Sequence, residues 1–198
     1  MPQLEDVGIY LKGLWLLILG KREGFDWLDI SVPGVWRSFG AIPWCLPAMT
    51  VSWASWRLAY LAAMPAGTPT GLAFIAKLLL VDLASWILPL LLVVALSRPL
   101  GYDMLLAPLI VTTNWLSVPT YYAMAVPSAL RLVLPNADGF TALLSILALI
   151  CALLALFRIL RAITGEQVLL AWALSALFVL PSLMLGETLQ RTLGLIPG

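Results

Sequence analysis

Histidine is missing altogether, cysteine occurs twice, and charged side chains make up only 11% of the 198 residues. Each shortage excludes something. Without histidine there is no usual axial ligand for a membrane haem, no side chain that titrates unperturbed near neutrality, and no Ser–His hydrolase dyad. Eleven Lys and Arg against ten Asp and Glu leave a net charge of +1, so no basic face is offered to nucleic acid. Walker A, G-x-S-x-G, H-E-x-x-H and C-x-x-C signatures are absent. Asp26 and Asp29 form a close-spaced pair of carboxylates near a membrane surface, too few to hold Mg²⁺ for lipid-phosphate chemistry. No metal, no cofactor and no enzymatic activity is therefore expected. Cys45 and Cys151 both fall inside apolar runs and read as small packing residues rather than as a disulfide or metal pair.

What is abundant is oil. Hydrophobic residues make up 62% of the chain, and the mean hydropathy is +1.02. A soluble domain of this size would be roughly 45–50% apolar and about 25% charged. So few charges cannot cover a water-facing surface, so lipid must be the solvent for most of the chain. Crossing the hydrocarbon layer takes about 20 apolar residues as a helix. Five such runs are present, near 36–61, 72–96, 104–128, 139–160 and 167–187. The expected fold is all-α: residues 1–198 form a single transmembrane domain of five spanning helices. The breaks MPAGTPTG, SRPLGYD, RLVLPNADG and RAITGEQ each hold Gly or Pro, as expected where chain returns to water. Arg37 and Arg57 bracket the first run, and Pro43 and Pro47 within it predict a kink.

Within residues 1–30 the apolar stretch from Ile9 to Leu19 has 11 residues with Lys12 inside, too short to cross. Leu4, Val7, Leu11, Leu14 and Ile18 recur at helical spacing, and Trp15, Trp27 and Lys21–Arg22 suit the headgroup level. An interfacial amphipathic helix is expected, a shallow re-entrant segment being the alternative. The opening MPQLED is acidic, unlike the basic start of a cleavable leader. With the N-terminus in the cytoplasm, Lys12, Lys21, Arg22, Arg37, Arg98, Arg158 and Arg161 share its side. Arg57, Lys77, Arg131 and Arg191 fall on the other. That bias favours a cytoplasmic N-terminus and an outer C-terminus, in a bacterial inner (plasma) membrane.

Polar residues inside the runs are the candidate site. In LIVTTNWLSVPTYYAM, residues 109–124, a helix puts Asn114, Ser117 and Tyr121 within about 60° of one another, and Thr113 and Thr120 widen the arc to about 120°. In lipid such a face turns inward, towards another helix or a wet cavity. Pro119 frees one backbone carbonyl near mid-span, a device of transporter sites. The plainer reading is hydrogen bonding between helices, about 0.6 kcal/mol per bond on average. Asp82 is the second feature: an acid about 7–8 Å deeper than Lys77, costing about 1–3 kcal/mol unless paired or protonated. Arg57 and Lys77 are its expected partners if it is merely structural. Ala148-x-x-x-Ala152 and Ala171-x-x-x-Ser175 permit close helix approach. Arg158 and Arg161, in FRILRA, are candidates for lipid phosphates or else set topology alone.

The lead-in GKREGFDWLDISVPGVWRSF, five spans with two close hairpins, and the small-residue stretch RAITGEQVLLAWALSALFVL together resemble the Yip family of five-span membrane proteins. The resemblance covers residues 10–190 or so and implies a non-enzymatic membrane protein. The expectation is thus a non-catalytic module that organises membrane lipids or partner membrane proteins, including copies of itself, as an accessory subunit of a membrane complex. The alternative is a small transporter or channel that uses Asp82 with the third-span polar face.

Overall fold

A computed structural model gives the fold and describes residues 3–65, 67–134, 137–165 and 167–196. Ala66, Pro135–Asn136 and Glu166, which belong to the expected breaks, and the extreme termini lie outside the described residues. The chain is all-α, 85% helical, with no strand among the described residues. Among the described residues seven α-helices follow in order: α1 (Leu4–Ile18), α2 (Val32–Ser38), α3 (Ala41–Ala63), α4 (Leu72–Leu100), α5 (Leu106–Val133), α6 (Asp138–Ile163) and α7 (Val168–Thr192). Short 3₁₀ turns at Arg22–Trp27 and Asp103–Leu105 join them.

Local chemistry sets several of these ends. The Gln3 amide donates to Asp6 Oδ2 at 2.8 Å and opens α1. Ser31 Oγ accepts from the Gly34 amide at 3.1 Å and opens α2. Gly101, with φ of 71°, closes α4 in a left-handed conformation that suits glycine. At the far end of α7, three side chains reach the last carbonyls. Lys77 Nζ donates to Leu193 O at 2.8 Å, Tyr60 Oη to Gly194 O at 3.0 Å, and Trp56 Nε1 to Leu195 O at 3.2 Å. A lysine there also favours the negative end of the helix dipole.

The lead-in packs on the bundle. Alpha-1 and the Arg22–Trp27 turn cross so closely that a methyl on Gly13 would lie 2.8 Å from Gly24 O, and α1 packs on α5 and α6. Lys12 Nζ sits 3.7 Å over the Trp27 ring, while Trp15 is 60% exposed. The Ser31 hydroxyl, 2.5 Å from Asp29 Oδ1, and the Arg37 guanidinium, 2.6 Å from Oδ2, hold the Asp29 carboxyl below its usual range.

This region corrects the first expected span. Instead of one run over 36–61, the chain breaks at Phe39–Gly40, and α3 starts at Ala41 and continues through Pro47. Pro43 lies in the first turn, where its missing N–H costs nothing. Arg37 belongs to α2 and pairs with Asp29, so it does not bracket the span.

Helix α5 is the centre. It packs between α3 and α6, with α2 and α1 across it and α4 on a further side; α4 pairs mainly with α7, which also meets α6. Leu17, Met49, Val93, Leu109, Trp115 and Leu160, from five helices, are all but fully buried. Three helices, α4, α6 and α7, are long and apolar enough to cross a membrane by length and composition, at mean hydropathies of 2.5, 2.7 and 2.3. The polar residues of α3 and α5 take both below that standard. Helix α6 stands apart: only 6% of its most apolar stretch is buried. Cys45 is fully buried but Cys151 is exposed on α6, so the second cysteine is not a core residue; both are free thiols.

Candidate functional site

Asn114 is fully buried, and its amide is used at both ends. Its Nδ2 donates to Ser38 Oγ at 2.8 Å, and its Oδ1 accepts from Trp86 Nε1 at 2.9 Å. Ser38 in turn donates to Val35 O at 2.6 Å. One amide on α5 thereby ties α4 to α2, and the Trp86 ring stacks on Tyr121 at 5.8 Å. Thr113 and Ser117 return their hydroxyl protons to α5 itself, at Leu109 O (2.7 Å) and Thr113 O (3.0 Å). Such back-bonding satisfies a hydroxyl in an apolar setting and leaves its lone pairs outward.

The predicted arc is a real surface. Thr113, Asn114, Ser117, Thr120 and Tyr121 together form one wall of a cleft of about 320 Å³ between α4, α5, α6 and α7. Ser85 and Ser182 add hydroxyls, and the remaining walls are apolar, built from side chains such as Leu153 and Phe178. Asp82 does not line this cleft. Its Oδ2 accepts from Trp53 Nε1 of α3 at 2.7 Å. The expected structural partners are engaged elsewhere: Arg57 Nε donates to Thr70 O and Oγ1, each at 3.0 Å, and Lys77 caps α7. The acid expected to join the third-span face is thus bonded to an indole of α3 rather than exposed in the cleft which that face lines. Trp53 and Trp86 were not foreseen; the signal in the sequence is Asp82-x-x-x-Trp86, which puts acid and indole on one face of α4.

A second cleft, of about 500 Å³, lies on the other flank of the α5–α6 seam, beneath α1. Leu11, Trp15 and Ile18 form its roof, Pro119 and Ala123 its α5 side, and Ala148, Ala152 and Ala155 its α6 side. Leu116, Thr120 and Ala152 border both clefts. Helices α5 and α6 do approach closely, and room is left on either side of the contact. At one end of the second cleft stands Arg158, exposed, its guanidinium beside the turn at Gly20. Arg22 lies beside Gly165, beyond the C-terminus of α6. Of the two arginines singled out in FRILRA, Arg158 lines the cleft; Arg161 does not. Among the described residues, no group of three or more His, Cys, Asp and Glu is assembled.

No known protein family, curated protein or solved structure matches this chain.

Proposed function

We propose that the chain is an integral membrane protein that holds phospholipid and presents it, or a surface built on it, to partner membrane proteins, without catalysis. In this reading all five long helices cross the bilayer, with α1 interfacial, the N-terminus cytoplasmic and the C-terminus outside, a layout that keeps the resemblance to Yip-type proteins. Alpha-3 and α5 cross although their composition is too polar for lipid contact, because neighbouring helices cover them. Lipid is the natural ligand of the cleft beneath α1. An acyl chain would lie along its alanine and leucine walls, and the phosphate would reach Arg158 at the mouth, an arrangement favoured by a guanidinium near the headgroups.

The observation that carries this reading is the cleft itself: an apolar channel of about 500 Å³ that ends on one exposed cation. The transport reading has less support. It required Asp82 and the α5 polar face to share a path, and Asp82 is bonded to Trp53 and does not line the cleft that face borders.

Native mass spectrometry of the protein released from mild detergent tests the proposal. Phospholipid should remain on the wild type. Arg158→Gln should lower retention of anionic lipid by about tenfold, the worth of one charge-assisted hydrogen bond. Ala152→Trp, which fills the cleft, should abolish retention of any lipid there. Equal lipid retention by all three proteins would contradict the proposal.

A further inference from the structure

A third cavity, of about 480 Å³, opens between α3, α5 and α6 and shares no residue with the two clefts above. Its lining is unlike theirs. Ser52 and Ser55 come from α3, Ser128 and Arg131 from α5, and Asp138, Thr141 and Ser145 from α6. Five hydroxyls, one cation and one anion therefore converge on one space. The three α6 residues fall at i, i+3 and i+7, a single helix face.

The hydroxyls are not equivalent. Ser128, Thr141 and Ser145 donate to carbonyls of their own helices, at 3.3, 3.1 and 2.9 Å, so only their lone pairs face the cavity. Ser52 and Ser55 make no hydrogen bond to any described residue. Ser55 as a residue is only 7% exposed, and its hydroxyl opens onto this cavity. The two charges pair with each other, but loosely. Arg131 Nε and Asp138 Oδ1 stand 3.5 Å apart, beyond a good hydrogen bond, whereas Arg37–Asp29 and Arg191–Glu187 close to 2.6 and 2.9 Å. Four guanidinium donors and a second carboxylate oxygen thus remain at the rim.

We propose that this cavity binds a zwitterion: an ammonium linked to a phosphate or a carboxylate. Arg131 and the hydroxyl protons of Ser52 and Ser55 take the oxyanion. Asp138 and the lone pairs of Thr141 and Ser145, along α6, take the ammonium. One charge of each sign makes the site neutral overall, which disfavours ligands carrying a net charge. The chemistry is common to an ethanolamine phospholipid headgroup and to a free amino acid, and the two sources are separable.

The test uses the full chain in nanodiscs of phosphatidylglycerol, which lacks an ammonium, titrated calorimetrically with glycerophosphoethanolamine and separately with glycine. Saturable binding of at least one probe is expected, with glycerol 3-phosphate and ethanolamine alone at least about tenfold weaker. Arg131→Gln, Asp138→Asn and the double variant Ser52→Ala, Ser55→Ala should each weaken the probe by about tenfold or more, with unchanged elution on size exclusion. Repeating the titration with phosphatidylethanolamine in the disc assigns the source. A headgroup ligand suppresses probe binding there, a free solute does not, and either result upholds the site. Ala152→Trp, which fills the cleft beneath α1, should leave binding intact, so failure of the lipid cleft and failure of this cavity are distinguishable. Absence of binding by both probes, or binding indifferent to all three variants, overturns the inference.

Discussion

Helices α5 and α6 lie side by side at nearly equal length, 28 and 26 residues, and use opposite chemistry. Alpha-6 is the more apolar of the two and is almost bare, with Leu143, Ile146, Leu147 and Leu154 each more than half exposed. Alpha-5 carries Thr112, Asn114 and Trp115 and buries them to 1% or less. In water this order would be inverted. In lipid, apolar side chains gain little by meeting each other, so shape and hydrogen bonds decide what goes inside. The most hydrophobic helix is therefore the wall, and the polar one is the keel.

The contrast can be broken by mutation, most severely at the keel. Trp115→Ala removes a buried ring that packs on Tyr10 at 4.5 Å, and should cost about 3–5 kcal/mol in unfolding by detergent titration. Leu147→Ala on α6 is its control and should change stability by less than about 0.5 kcal/mol. Comparable losses at the two positions would erase the distinction. Asn114→Leu keeps the size of the side chain but strips the Trp86 indole and the Ser38 hydroxyl of their shared partner; a loss of about 1–3 kcal/mol is expected by the same titration. Trp53→Phe should cost less, about 0.6–1.7 kcal/mol, because Asp82 loses a single hydrogen bond between helices. Asp82→Asn in the Trp53→Phe background should recover part of that loss, since the amide tolerates the apolar site better than a carboxylate. The smallest effect belongs to Lys77→Met, which uncaps α7 and should lower the melting point by the equivalent of about 0.3–1 kcal/mol, a loss that added salt reduces.

Much of this architecture is legible from residues alone. The Gly and Pro breaks put the starts of α4, α6 and α7 within a residue of those expected, because chain returning to water needs turn chemistry wherever it happens. The break at Phe39–Gly40 escaped notice, since a lone glycine between apolar runs resembles any other glycine in a membrane helix. The arc of Thr113, Asn114, Ser117, Thr120 and Tyr121 followed from 100° per residue and proved to be one wall of a cleft. Asp82 did not yield its partner, which lies 29 residues away on α3. Periodicity orients a side chain on its own helix but does not say which helix faces it. The clefts were hidden for a related reason: Ala148 and Ala152 specify a thin α6, and whether neighbours close on it or leave room depends on side chains from α1, α5 and α7.

The claim on which all of this depends is that α6 faces lipid while α5 is shielded inside the same bilayer. Labelling reconstituted vesicles with a membrane-soluble diazirine, then mapping the adducts by peptide mass spectrometry, measures it directly without mutation. The predicted result is dense labelling of residues 143–154 on α6 and little or none over 109–118 on α5. Equal labelling of the two stretches, or none on α6, would contradict it.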